Sequence, residues 1–439
     1  MPARAEREGG GVRLKAAGGR PLGRLVARFE IDSRLFGLLA ALVVIWIVFD
    51  IFSGGRFITP RNLYNLTLQT ASVAIMATGM VMVIVARQID LSVGSLLGFA
   101  AMVMGVVQVE ALPPLLGYGS ALIWPITLLA GLATGAAVGA LQGALIGYLG
   151  IPSFVVTLAG LLIWRGAAWW ITEGQTMSPL DERFGLLGGG VHGAIGALAS
   201  WGLGLLCAGA LIVMTLRRRR RAISYGFPVR APWAEAAVLG AGCAAILAFV
   251  AVMNAYEMPP IAAQRLAEAR GWTVPPGGLH IAEGVPVPAL ILLGIAVALS
   301  LLLYRTRIGR YVYAIGGNPE AAALAGIDTR RVIFSVFVLM GLLSAASGAV
   351  ASARLLSADN ALGSADELRV IAAAVIGGCS LAGGAGTISG AVLGAVTIQS
   401  IQSGMALLGL DASLQNIVTG IVLVLAVYLD FLYRRRHAA

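Results

Sequence analysis

Few of the side chains able to do covalent chemistry stand close enough in this sequence to act together. Lys15 is the only lysine among 439 residues. A Walker-type phosphate loop needs its lysine directly after a glycine and before Ser or Thr. Lys15 lies in Gly11-Val12-Arg13-Leu14-Lys15-Ala16 and has neither neighbour. Any ATP hydrolysis that drives this protein must therefore take place on another polypeptide. His192, His280 and His437 are far apart in loops and tail, and no pair has metal-ligand spacing. Cys207, Cys243 and Cys379 give neither a zinc pattern nor a disulfide framework and read as small packing residues. No Ser-His-Asp set and no paired carboxylates stand within the apolar stretches, so an intramembrane hydrolase lacks its parts. The expectation is a chain that is not an enzyme, with no metal and no cofactor of its own.

Several other polar side chains fall inside or, like Asp90, between apolar stretches, where they are costly and therefore informative. Asp90, Ser92, Ser95, Gln142, Thr157, Gln399 and Gln402 are the candidates for lining a polar passage. Several have structural alternatives. Asp90 is placed to cap the helix that follows it, with Ser92 close by. Arg87 reads as an interfacial anchor or a partner for Asp90. Gln142, Gln399 and Gln402, with Asn416, suit interhelical hydrogen bonding and equally a passage for a neutral polyol. Arg165, beside Trp164, Trp169 and Trp170, suits snorkelling to a membrane interface.

The elements that position these residues are membrane helices. The chain is 58% hydrophobic and only 12% charged, with a mean hydropathy of +0.87. Apolar runs of ~20 residues, each long enough to cross ~30 Å of hydrocarbon, recur throughout. The spans predicted are 35–52, 63–86, 91–110, 121–149, 153–172, 196–216, 233–254, 286–304, 331–351, 367–382, 385–406 and 413–432. The fold class is thus an all-α polytopic membrane protein of about 10–12 transmembrane or partly re-entrant helices. Its domains are a basic, disordered tail over 1–34, a single membrane domain over 35–432 and a short tail over 433–439. The net charge of +10 sits in a few arginine blocks without interleaved aromatics, so nucleic acid is not an expected partner. Those blocks are the N-terminal tail, Arg217–Arg221, Arg305–Arg310, Arg330–Arg331 and Arg434–Arg436. With the predicted spans, all fall on one side, which puts both termini and residues 309–331 in the cytoplasm.

Residues 309–331 interrupt the apolar pattern with a short helix carrying its own stop signals. Asn318 is a good N-cap, and Pro319 suits the first helical position. Glu320 opposes the dipole, and Ala321, Ala322, Ala323, Leu324 and Ala325 favour helix. Gly326 fits the left-handed position after the helix, and Gly316 and Gly317 allow a sharp turn into it. A helix of about two turns is marginal alone in water and needs a surface to dock on.

This segment carries a resemblance. Glu320-Ala321-Ala322 followed by Gly326 is similar to the coupling motif in membrane subunits of ATP-binding-cassette importers. Tyr313–Ala322 resembles the sugar-importer branch, which includes ribose and xylose permeases. Ile89-Asp90-Leu91-Ser92-Val93-Gly94-Ser95 resembles that branch's first signature. Ile371-Ala372-Ala373, Gly377-Gly378 and Leu381-Ala382-Gly383-Gly384 resemble its last. The insertion at 217–285 and Pro152–Gly160 look most like the D-xylose permeases. Two places depart from the pattern. Arg87-Gln88 stands where a small or acidic residue is usual, and Arg369-Val370 replaces an Asp-Ala pair.

The resemblance implies a multi-pass permease subunit in the inner membrane of a bacterium, acting as a homodimer in the lipid. It implies cytoplasmic ATPase subunits that hold ATP and magnesium, and an extracytoplasmic sugar-binding protein. It assigns ATPase coupling to Gly316, Gly317, Asn318, Pro319, Glu320, Ala321, Ala322 and Gly326. The cargo implied is a monosaccharide, D-xylose first and another pentose or hexose as the alternative. A stand-alone secondary transporter is the other alternative, and it should carry more intramembrane ionisable residues for ion coupling. Because importers fed by a binding protein need only weak contacts in the channel, no dense sugar site is expected.

Overall fold

The computed structural model describes residues 33–190, 193–227, 229–271, 274–275 and 279–438. The N-terminal tail with Lys15, and His192, lie outside the described residues. Among the described residues the protein is helical, with isolated β-bridges and no strand. Apart from short turns of helix at Pro113–Leu116 and Glu182–Gly185, the α-helices are α1 (Ser33–Phe52), α2 (Pro60–Val85), α3 (Val93–Val106), α4 (Ile123–Gly147), α5 (Ser153–Trp170), α6 (Ala197–Ser224), α7 (Pro232–Asn254) and α8 (Pro260–Arg270). They continue as α9 (Val287–Arg305), α10 (Arg307–Gly317), α11 (Pro319–Leu324), α12 (Thr329–Leu355), α13 (Asp366–Ile376), α14 (Ile388–Leu407) and α15 (Ala412–Ala438). Among the described residues nine helical stretches are long and apolar enough to cross a membrane, α3 being one when counted with its π-helical continuation to Ala111, while α1 and α15 carry shorter apolar stretches. The chain is a polytopic all-α membrane protein.

α2 is the central post. Thr59 caps it by accepting from Asn62 N, and Pro60 occupies a first-turn position where no amide donor is needed. Every residue from Val73 to Val85 is buried, with α9, α12, α13 and α14 packed around it. The closest seam joins α4 to α12. Gly135, Gly139, Gly143 and Gly147 recur every fourth residue on α4 and lie against the backbone at Gly341, Phe337, Phe334 and Arg330 of α12. In lipid, such small-residue stripes let two helices approach until dispersion and backbone contacts hold them. Any side chain at these positions would separate the pair.

One predicted span is broken. Residues 86–92, at the gap between two predicted spans, are not helical, and α3 starts at Val93, two residues later than its predicted span. The predicted span 367–382 is helical only as far as Ile376. Those 11 residues reach about 16 Å, half the hydrocarbon core. Glycines end the helix: Gly378, Gly383 and Gly384 all have positive φ, which favours turns over continued helix. The non-helical stretch between α13 and α14 then runs to the end of the bundle where Gly384 N donates to Val85 O at 3.0 Å. The predicted 255–285 loop also contains a helix, α8, whose proline start and left-handed Gly271 were readable stop signals.

Candidate functional site

Two groups of side chains concentrate the unusual geometry, one at each end of α2. At the C-terminal end lie α10 and α11. The side chain of Thr306 caps α10 by accepting from Gly309 N, and α10 buries Gly309, Val312, Ile315 and Gly316. Asn318 Oδ1 accepts from Ala321 N at 3.0 Å and caps α11. Gly326 N donates to Ala323 O, and Ile327 N to Ala322 O, at 3.0 and 3.1 Å. That is the paired closure of a helix ending in a left-handed glycine, and Gly326 has φ +82°. Ala322 alone on α11 is buried, whereas Glu320 is exposed and Leu324 is 91% exposed. α11 is therefore an ordered projection with a bare apolar knob.

Gly316 and Gly317 do not act as the sequence reading expects. Neither has positive φ. The turn between α10 and α11 is made at Asn318, whose backbone is extended at φ −152° and ψ 104°. Gly316 instead lies hard against the Val85 carbonyl and the Gly384 backbone, where no Cβ fits.

Arg87 locks this meeting point. Its Nε donates to Gly316 O and its Nη2 to Gly317 O, both at 2.8 Å. A cation bonded to the last carbonyls of α10 opposes the helix dipole as well as satisfying two acceptors. Arg87 itself has φ +61°, an uncommon backbone for a non-glycine residue. Its side chain lies against Gly383, and Tyr313 Oη donates to Gly386 O at 2.7 Å. The breaks before α3 and before α14 thus converge on α10.

Asp90, Ser92, Gln142 and Thr157 lie together beside this junction. Ser92 donates to Asp90 Oδ1 from its backbone N at 2.9 Å and its Oγ at 2.7 Å. Gln142 Nε2 donates to Ser92 Oγ at 2.9 Å, and Ile89 N donates to Ser153 Oγ at 3.2 Å. Thr157 Oγ1 donates to Ser153 O at 2.8 Å. Asp90 therefore ties its own loop, three residues before α3, and the N-cap position belongs to Ser92. Arg87 partners α10 carbonyls. Ser95 is buried, and its hydroxyl has no hydrogen-bond partner among the described residues.

Gln399 and Gln402 fall elsewhere, on the wall of a cavity of about 590 Å³ at the opposite end of α2. The first turns of α2, the end of α12, residues 359–366, Arg369 of α13, α14 and Gln415 of α15 enclose it. Arg369 Nη1 pairs with Asp366 Oδ1 at 2.8 Å. Gln402, oriented to satisfy both its ends, accepts from Arg369 Nη2 at 3.1 Å and donates to Gln399 Oε1 at 3.2 Å. Gln399 Nε2 donates to Gln69 Oε1 at 2.8 Å, and Ser403 Oγ to Asn62 Oδ1 at 3.0 Å. Arg165 does not snorkel outward. Its Nη1 donates to Asn360 O and Leu362 O at 2.9 and 2.8 Å, pinning the loop that forms one cavity wall. Gly94 and Gly98 of α3 lie against the same loop at Gly363 and Leu362.

The sequence reading reaches the α10–α11 segment and two cavity glutamines. It misses Leu324, the role of Arg87, and the charged cavity residues Arg354, Asp359, Asp366 and Arg369. Arg87 and Arg369 had left a signal, since both break the sugar-importer pattern. Among the described residues no group of three or more His, Cys, Asp or Glu stands together as metal ligands do.

Comparison with known proteins gives a consistent family. Xylose transport system permease protein XylH of Escherichia coli (strain K12) is 35% identical over 407 residues, 93% of this chain and 94% of that protein. Its counterpart in Haemophilus influenzae is 34% identical over 409 residues, 91% and 97% of the two chains. Ribose import permease protein RbsC of Escherichia coli (strain K12) is 32% identical over 397 residues, 90% and 92%. No solved structure gives a significant match. A family model described as branched-chain amino acid transport system / permease component matches residues 62–427. That match runs from the first turn of α2 into α15, through the half-length α13, the cavity wall and the α10–α11 projection, and the chain belongs to this permease family.

Proposed function

We propose that this chain is the membrane-spanning permease subunit of an ATP-driven, binding-protein-dependent monosaccharide importer of a bacterial inner membrane, with D-xylose as cargo. The similarity to xylose permeases across nearly the whole of both chains carries the reading. ATP and magnesium belong to cytoplasmic ATPase subunits, a sugar-binding protein delivers cargo to the cavity end, and two copies of this chain form the working unit. α11 is the docking element. Glu320 and Leu324 offer the ATPase one charge and one apolar side chain on a preformed helix, which lowers the ordering cost of binding.

The coupling route is a line of direct contacts. Motion of α11 moves α10, whose final carbonyls are held by Arg87. Arg87 leads through the Asp90–Ser92 turn to the start of α3. Gly94 and Gly98 of α3 bear on Gly363 and Leu362, which line the cavity. Close-packed backbones of this kind transmit displacement because they have no slack to absorb it. Contact alone does not prove coupling, so the test is functional. The chain purified from its native membrane should bring an ATPase with it, and reconstituted uptake of D-xylose should require ATP, that ATPase and the binding protein. Full uptake by vesicles containing this chain alone, driven by an ion gradient, would refute the proposal.

A further inference from the structure

The cavity is denser in polar groups than a passive channel fed by a binding protein requires. Its volume of about 590 Å³ falls within the ~300–1,000 Å³ typical of small-molecule sites. Four charged residues stand on its wall, and three are already engaged. Asp366 and Arg369 neutralise each other, and Asp359 Oδ1 accepts from Ala361 N at 2.8 Å within its own loop. Three of the wall's glutamines are also spoken for, in the run from Arg369 through Gln402 and Gln399 to Gln69. Arg354 is the exception. It is next to last in α12 and stands exposed on the cavity wall, and its guanidinium makes no hydrogen bond or close ion pair among the described residues, with only the longer-range attraction of Asp366 acting on it. A preorganised wall with one unfilled five-donor group is the arrangement of a binding site awaiting a ligand with several acceptor oxygens.

The charges of the four residues cancel, so the wall offers donors and acceptors side by side without a net charge. Hydroxyl groups both donate and accept, and vicinal hydroxyls can use a guanidinium and neighbouring amides together. We propose that the cavity is an equilibrium binding site for a neutral monosaccharide on this chain itself, anchored by Arg354, rather than a conduit that leaves recognition to the binding protein. The inference rests on the sugar-importer reading for the class of cargo, but not on any ATPase.

The test uses the purified full-length chain in lipid nanodiscs, with neither ATPase nor binding protein, and labelled D-xylose as the probe. Saturable binding is expected. Arg354→Met should weaken it at least tenfold, and Arg354→Lys, which keeps the charge but loses the planar fork, should fall between. Both variants are compared by size exclusion and thermal unfolding, so a misfolded one is recognised, and excess unlabelled D-xylose must compete with the label on the unmodified chain. Absence of saturable binding overturns the proposal, as does binding indifferent to well-folded Arg354→Met. D-Xylonate binding more than tenfold tighter than D-xylose would make this an anion site and overturn the neutral-sugar assignment. Coupled uptake by the assembled importer without binding by the isolated chain defeats this inference alone. Binding by the chain combined with ion-driven uptake defeats the importer reading and leaves the site standing.

Discussion

At the α10 end of the bundle, Arg87 bonds to two backbone carbonyls and Gly316 touches the Val85 carbonyl. At the cavity end, Arg369, Asp366 and a run of glutamines bond side chain to side chain. The two ends are 16 residues apart on α2, between Gln69 and Val85, or about 24 Å of rigid helix. Backbone contacts fix geometry and tolerate almost no substitution. Side-chain networks accept a change of partner and so suit a surface that meets cargo. The contrast assigns force transmission to one end and recognition to the other, and substitutions should separate the two.

The largest effect should come from Gly316→Val. Its side chain would occupy the space of the Val85 carbonyl and the Gly384 backbone, and overpacking against backbone has no cheap relaxation. Uptake should fall to background and the apparent melting temperature should drop, read by transport assay and thermal unfolding of the purified chain. Glu320→Arg and Gly326→Leu should be nearly as severe for function yet milder for folding. Both should insert normally and lose ATPase association, because one reverses the exposed charge and the other puts a side chain at φ +82°. Normal co-purification of the ATPase with both variants would remove α11 as the docking element.

Arg87→Met should divide the two roles at the coupling end. α11 remains intact, so ATPase association and ATP turnover should persist while uptake falls about 10- to 100-fold, the scale of a charge-assisted hydrogen bond at ~1.5–3 kcal/mol. Loss of ATPase binding would instead place Arg87 in the docking surface. At the cavity end, Arg165→Met leaves the carbonyls of Asn360 and Leu362 without their donor. The expected cost is about 1–3 kcal/mol, seen as reduced thermal stability and faster proteolysis near 359–363, with ATPase association unchanged.

How much of this was legible varies with the range of the interaction that decides it. Long apolar helices follow from local composition, and α2, α4, α12 and α14 fall close to their predicted limits. α11 was legible for the same reason: Asn318, Pro319 and Gly326 carry their signals within nine residues. The half-length α13 was not, because an apolar run records hydrophobicity and not where Gly377-Gly378 will stop a helix. The cavity was least legible of all. Asn62 and Ser403 are 341 residues apart, and each of the wall's glutamines alone reads as ordinary interhelical glue. Only tertiary packing makes them one surface. Asp90 is a partial case: the sequence places it as the cap of the following helix, whereas its carboxylate accepts from Ser92 within its own loop and Ser92 takes the N-cap position.

The smallest expected effect separates the two ends by pH. His280 Nδ1 lies 2.6 Å from Glu257 Oε2 in the segment joining α7 to α9, and both are exposed. The hydrogen bond to the Glu257 carboxylate, with its charge, holds the imidazole's affinity for a proton above its ordinary value. A group whose pKa is raised on folding stabilises the fold fully below its unfolded pKa, about 6.5 for histidine. That contribution is lost as pH rises through the higher folded value. The loop should therefore exchange its amides faster across that interval, and Glu257→Gln should bring the His280 titration, followed by NMR, back toward the reference. The described part of the α10 junction is held by Arg87, the Tyr313 hydroxyl and backbone groups and contains no histidine, so ATPase association should stay level over the same pH interval. A titration of His280 at or below the reference would break the pair, and a matching pH dependence of ATPase association would break the division between the two ends.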